Sequence, residues 1–170
     1  GLGSKFWFTA LLEHTKGAPV DINLSRHSVG PLERLAQVNQ VQQVHVLLVD
    51  DNEFNQQVGS ELLAAANCRV SVTGDGLRAS NLVLAGEEQF HCVLMDIQMP
   101  IMDGLEATRI IRAQAQFAHL PIIAITANAM KEDRIHCLSA GMNDFIPKPF
   151  APDILYSTLL RWVGDHKQED

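Results

Sequence analysis

Between residues 44 and 163 the chain alternates two kinds of segment, and this alternation constrains its fold more than any other feature. Val46-Leu47-Leu48-Val49, Val93-Leu94-Met95 and Ile122-Ile123-Ala124-Ile125 are apolar without interruption and too short for helices. A strand with one wet face alternates apolar and polar residues, so an unbroken apolar run reads as a strand covered on both faces. Val70–Thr73 and Phe145–Ile146 give weaker strand signals. Between the runs, apolar residues recur at helical spacing: Phe54, Val58 and Leu62; Leu105, Thr108 and Ile111; Leu155, Leu159 and Trp162. Strand then helix, repeated five times, predicts an α/β fold. Right-handed crossovers would build a five-stranded parallel sheet with helices on both faces.

Chemistry in such sheets gathers at the carboxyl ends of the strands. There the sequence places Asp50-Asp51 after the first run, Asp96 after the third, Thr126 after the fourth and Lys148 after the fifth. Wet loops explain one or two polar residues at strand ends, but not three carboxylates, a hydroxyl and an ammonium on one rim. Carboxylates held together repel and raise one another's pKa. A hard divalent cation relieves that repulsion, and Mg²⁺ suits a few carboxylates plus waters. One carboxylate could then attack phosphorus to give an aspartyl phosphate, with the cation and the ammonium neutralising the transferring oxygens. A Thr hydroxyl on the neighbouring strand could donate to a phosphoryl oxygen.

Composition removes other classes. A net charge of −7 and a pI near 5.4 speak against nucleic acid and anionic membranes as partners. Cys68, Cys92 and Cys137 are odd in number and lack paired spacing, which argues against a disulfide framework or zinc site and for reduced thiols. No apolar run approaches a membrane span, so this fragment is expected not to be membrane-inserted. His45 and His91 show no ligand spacing and read as structural or exposed.

The sequence resembles a bacterial response-regulator receiver domain, most of all those fused to hybrid sensor histidine kinases. The stretches that carry the likeness are VLLVDDNEFNQ, VLMDIQMPIMDGLEATRIIR, PIIAITANAM and the run from Gly141 to Phe150. The resemblance implies a flavodoxin-like, receiver-like fold in which Asp96 is the phosphoacceptor. It implies Mg²⁺ held by Asp50, Asp51, Asp96 and the backbone carbonyl of Gln98, with Lys148 as phosphate counter-ion. Thr126 would be the switch hydroxyl and Phe145 the switch aromatic, where the family often has Tyr; Phe keeps the rotamer change without the hydroxyl. Glu53 reads as a helix-start residue favoured by the dipole. The family resemblance suggests a cis bond at Pro149, and Gly104 fits a sharp turn after the acceptor strand.

The function implied is a Mg²⁺-dependent two-component phosphorelay step. A phosphohistidine of the parent kinase would load Asp96, which would pass the group to a histidine phosphotransfer protein or domain. Ile101, Met102 and Pro149-Phe150 would offer apolar contact at that docking rim. The alternative is a receiver that regulates its own kinase without onward transfer. The fragment's catalysis would be limited to its own phosphorylation, whereas the parent resembles a protein-histidine kinase. The expected location is cytoplasmic, with a parent that could be anchored in the inner membrane. A phosphohydrolase would want a second acid two residues after the nucleophile, where Gln98 stands. A nucleotide- or flavin-binding domain would need a glycine- or hydroxyl-rich first loop, and Asp50-Asp51-Asn52-Glu53 would repel phosphate. A degenerate receiver would not be expected to keep the acidic pair, acceptor, Thr and Lys together.

Outside the regular part, residues 1–14 resemble the last glycine box and closing strand of a histidine-kinase ATPase domain, although the first four residues also fit a cloning remnant. Residues 15–43 have linker composition, in which Leu32, Leu35 and Val38 could support a short helix. The receiver is expected over 44–165 and a charged tail over 166–170, with no output domain after it. Arg26-His27-Ser28 faintly echoes a phosphohistidine box, but the acidic residue that should follow the histidine is missing and Gly30 weakens a helix.

Overall fold

A computed structural model describes residues 29–127 and 131–163. The kinase-like stretch at 1–14, His27, Met130 and the tail at 166–170 lie outside the described residues.

Helix α1 (Pro31–Val41) precedes a repeating series: β1 (His45–Val49), α2 (Glu53–Ala65), β2 (Arg69–Thr73), α3 (Gly76–Ala85), β3 (Cys92–Asp96), α4 (Gly104–Arg112), β4 (Ile122–Thr126), α5 (Lys131–Ala140), β5 (Asp144–Pro147) and α6 (Pro152–Val163). A 3₁₀ turn at Ala115–Phe117 follows α4. The strands form one sheet in the order β2-β1-β3-β4-β5, every pair parallel. The three unbroken apolar runs are the three central strands, buried throughout. The two weaker signals are the edges.

Strand side chains alternate between faces, so each central strand feeds two cores. Val46, Leu48, Leu94, Ile123 and Ile125 face Leu63 of α2 and Leu155 and Leu159 of α6. Leu47, Val49, Val93, Met95, Ile122 and Ala124 face Val83 of α3, Ile111 of α4 and Cys137 of α5. All three cysteines are buried and outside any disulfide. The helices start on capping side chains: Asn52 accepts from Phe54 N and Asn55 N, Asp75 from Arg78 N, and Asp103 from Glu106 N.

Two features differ from the sequence expectations. The α2 stripe is rotated from the expected Phe54–Val58–Leu62. Gly59 and Leu63 are the buried positions, and Phe54 is 73% exposed. Close packing of α2 against Leu48, where a Cβ on Gly59 would meet Leu48 Cδ2 at 2.8 Å, sets that rotation. Within the stretch read as linker, the short helix that Leu32, Leu35 and Val38 could support is present as Pro31–Val41, but it packs on α6 as part of the fold. Its Leu35 is fully buried in the first core. Its Asn39 donates to Ala66 O (2.7 Å) and accepts from Val44 N (2.8 Å). The expected cis bond is present at Lys148-Pro149.

Candidate functional site

The helices that follow β1 and β3, α2 and α4, pack into different cores on opposite faces of the sheet, so a crevice opens between the carboxyl ends of these neighbouring strands. Into it project Asp50 and Asp51 after β1 and Asp96 at the end of β3, with Thr126 closing β4 and Lys148 following β5. Carboxylate oxygens of Asp50, Asp51 and Asp96 lie within 4.8 Å of one another. Lys148 Nζ sits 2.7 Å from Asp50 Oδ2 and 2.6 Å from Asp96 Oδ2, bridging the two. Its backbone is set there by a 2.7 Å hydrogen bond from Lys148 N to Thr126 O. Asp51, Asp96, Gln98, Thr126 and Lys148 share the wall of one cavity of about 410 Å³.

The carboxylates are held unequally. Asp50 is fully buried, Asp96 is buried and Asp51 is exposed. Asp50 Oδ1 accepts from Asn52 N and Asn55 Nδ2, both at 3.0 Å, and its carbonyl oxygen accepts from Gln56 Nε2 at 2.6 Å. Asp50 Oδ2 receives no hydrogen bond of good geometry. Its contact with Lys148 is an ion pair at short range but off the hydrogen-bond direction. Asp96 Oδ1 accepts from Gln98 N at 3.3 Å. Gly104 lets the loop after β3 fold back, since a Cβ there would collide with the Asp96 carbonyl oxygen.

Burial raises the Asp96 carboxyl above its usual range; the Lys148 ammonium opposes this and Asp50 adds to it, and the net direction is up. Burial works against the Lys148 ammonium, but Asp50 and Asp96 together outweigh it, so its pKa lies above the ordinary lysine value. Three carboxylates therefore face one ammonium. That negative excess, with the buried Asp50 Oδ2 held by an ion pair but by no hydrogen bond of good geometry, fits a hard divalent cation with oxygen ligands.

The half-buried Phe145 ring has the Arg134 guanidinium carbon 4.9 Å from its centroid. Ile101 and Phe54 stand exposed, at 79% and 73%. A larger cavity, about 550 Å³, lies at the opposite end of the sheet. Its one carboxylate, Glu88, is already engaged by Arg69 and Ser71, so the smaller cavity is the chemically equipped one. Asn55 and Gln56 were not singled out by sequence reasoning. They close the VLLVDDNEFNQ stretch that carries the family likeness, as an amide pair one turn into α2, where the helix passes the strand ends.

The family model of the response regulator receiver domain matches residues 46–160. Over 130 residues the chain is 39% identical to hybrid signal transduction histidine kinase I of Dictyostelium discoideum, covering 74% of this chain and 8% of the kinase. The chain spans less than a quarter of the length of several curated relatives that it matches. Among solved structures it is similar to the receiver domain of sensor histidine kinase PA1611 from Pseudomonas aeruginosa, which has a magnesium ion coordinated in the active site cleft. The two are 43% identical, with a TM-score of 0.66, over 72% of this chain and 99% of that one. It is also similar to the receiver domain of Ssk1 from Saccharomyces cerevisiae, solved with the histidine phosphotransfer protein Ypd1. That likeness is 26% identical, with a TM-score of 0.68, over 75% of this chain and 94% of that one.

Proposed function

Because the chain belongs to the response regulator receiver family of two-component signalling, we propose that Asp96 accepts a phosphoryl group from a phosphohistidine of a parent kinase. A carboxylate oxygen of Asp96 attacks phosphorus, the P–N bond breaks, and its electron pair returns to the imidazole. The observation that carries this reading is the Lys148 ammonium lying between Asp50 and Asp96 beside a cavity that Thr126 also lines. Lys148 holds Asp96 Oδ2 in place and keeps a positive charge where phosphoryl oxygens would arrive. The Thr126 hydroxyl serves as donor to one of those oxygens.

Asp50, Asp51 and Asp96, with the Gln98 backbone carbonyl, would hold Mg²⁺. When bound, the ion supplies positive charge to the phosphoryl oxygens and offsets the carboxylate excess. The experiment is labelling with a small phosphodonor such as acetyl phosphate. Wild type should take up phosphate only with Mg²⁺, and Asp96→Asn should take up none. Equal labelling of Asp96→Asn would remove Asp96 as acceptor.

Onward transfer to a histidine phosphotransfer protein is the reading for the loaded domain. The exposed Ile101 and Phe54, which follow Asp96 and Asp51 in the chain, support it, as does the exposed Pro149 next to Lys148, whereas Met102 and Phe150 pack partly against the two cores. The likeness to a receiver solved with such a partner supports it too. Mixing the labelled domain with candidate phosphotransfer proteins tests it. If none takes the label faster than it hydrolyses, the domain regulates its own kinase instead. The parent is proposed to be a hybrid sensor kinase, with residues 1–14 as the end of its ATPase domain, 15–43 as a connection whose helix α1 packs into the receiver's core, and 44–165 as receiver. Among the described residues no helix is long and apolar enough to cross a membrane.

A further inference from the structure

Asp50 is the most tightly constrained of the three carboxylates, and the constraint comes from α2. Its backbone N–H donates to Thr73 O at 3.1 Å and its carbonyl accepts from Gln56 Nε2 at 2.6 Å, so the main chain is fixed on both sides. Oδ1 takes two donors at 3.0 Å, the Asn52 backbone N–H and the Asn55 side-chain amide. Any residue at position 52 except proline would supply the first. Only the second depends on side-chain identity. An ionised carboxylate only accepts, so the Asn55 amide must turn its NH₂ towards Asp50. Asn55 is itself anchored, because its backbone N–H donates to the capping Asn52 Oδ1 at 3.3 Å. With Oδ1 doubly occupied, the carboxylate cannot rotate without breaking a hydrogen bond, and Oδ2 is left without a donor of good geometry beside Lys148. The same Asn55 side chain borders the cavity that Asp51, Asp96 and Lys148 line.

We propose that Asn55 is a positioning residue: by donating to Asp50 Oδ1 it aims Oδ2 at the place where the cation binds. A neutral amide suits this task. A lysine or arginine would compete with the cation, an acid would repel Asp50, and an apolar residue would free the carboxylate to turn. The inference rests on the reading of Asp50 as a cation ligand. It also separates from a purely structural role, in which losing the amide would lower stability and leave metal affinity alone.

The test is calorimetric titration of the full chain with Mg²⁺ in wild type, Asn55→Ala, Asn55→Leu and Asp51→Ala, beside thermal melts without Mg²⁺. Asn55→Leu keeps the side-chain volume, and so carries the test if the alanine variant folds poorly. Both Asn55 variants should bind Mg²⁺ about 10-fold more weakly, the usual effect of losing a group that orients a ligand. In wild type, the Asn55 NH₂ resonances, assigned by their loss in Asn55→Leu, should shift as Mg²⁺ is added. If both Asn55 variants keep wild-type affinity while Asp51→Ala loses it, the positioning role is wrong and the cation reading stands. If wild type itself binds no Mg²⁺, both are wrong.

Discussion

At Lys148 two opposing effects meet: burial disfavours the ammonium, yet Asp50 and Asp96 lie 2.7 and 2.6 Å from Nζ. Replacing it with Met would leave two buried carboxylates facing each other. Lys148→Met should lower stability in urea by about 2 kcal/mol without Mg²⁺, below the figure for a fully buried pair because Lys148 keeps 17% of its side-chain surface. Added Mg²⁺ should recover part of that loss, and no recovery would argue against a shared role in neutralising the cluster. Asp96 behaves oppositely. Its carboxyl is raised despite Lys148, so ionising it costs more in the folded chain than in the unfolded one. Asp96→Asn should therefore raise the melting temperature at neutral pH in the absence of Mg²⁺. At the far end of β1, His45 Nε2 lies 2.9 Å from Ser71 Oγ and 3.6 Å from Glu88 Oε2. Burial, then Arg69, lowers its pKa below the ordinary 6.5 against the pull of Glu88, and His91 also lowers it. The ring is therefore neutral at pH 7, and its contact with Glu88 is polar, not ionic. Below pH 6.5 the unfolded chain binds this proton more readily, so His45 contributes stability that is present above 6.5 and lost as pH falls. Thermal melts across that range should show a shallower acid slope in His45→Gln; an unchanged slope would exclude His45.

Among the elements, α1 shows what local signals can miss: they allowed a short helix here but not its place in the core. Its sequence mixes polar residues with Leu32, Leu35 and Val38, a pattern equally at home in a linker. Burial against α6 and the Asn39 stitches to Ala66 and Val44 make it part of the folded unit. Leu35→Ala should cost about 3 kcal/mol, as for other fully buried leucines. A chain beginning at residue 44 should melt well below one beginning at residue 29, as differential scanning calorimetry can measure; equal melting would mean α1 only rests on the surface. The α2 stripe teaches a related lesson. Four-residue spacing among Phe54, Val58 and Leu62 correctly marked a helix, but a helix can turn about its axis, and the buried face was chosen by the fit of Gly59 against Leu48. Periodicity identifies an element more securely than it identifies the face that packs.

For the molecule as a whole, a cation that binds only the folded chain raises stability by linkage, about 2.7 kcal/mol at one hundred times its Kd. Mg²⁺ should therefore raise the wild-type melting temperature, and Asp51→Ala should lose most of that gain. Beryllium fluoride added with Mg²⁺ should move NMR resonances beyond the metal loops, into α5, β5 and α6. The reason is that Thr126 ends the strand beside β5, where Phe145 packs under Arg134. Shifts confined to the loops at Asp50 and Asp96 would rule out the switch. The sequence by itself determined the α/β class, the parallel sheet and the residues at its rim. Unbroken apolar runs admit little but strands covered on both faces, and a polar residue closing each run must emerge at the same edge. Only the tertiary structure decided how those residues meet: Lys148 between two carboxylates, Asn55 and Gln56 clamping Asp50, Phe54 turned outward and α1 drawn into the core. These depend on distances between segments far apart in the chain and on the rotation of helices about their axes, and neither is written in local spacing.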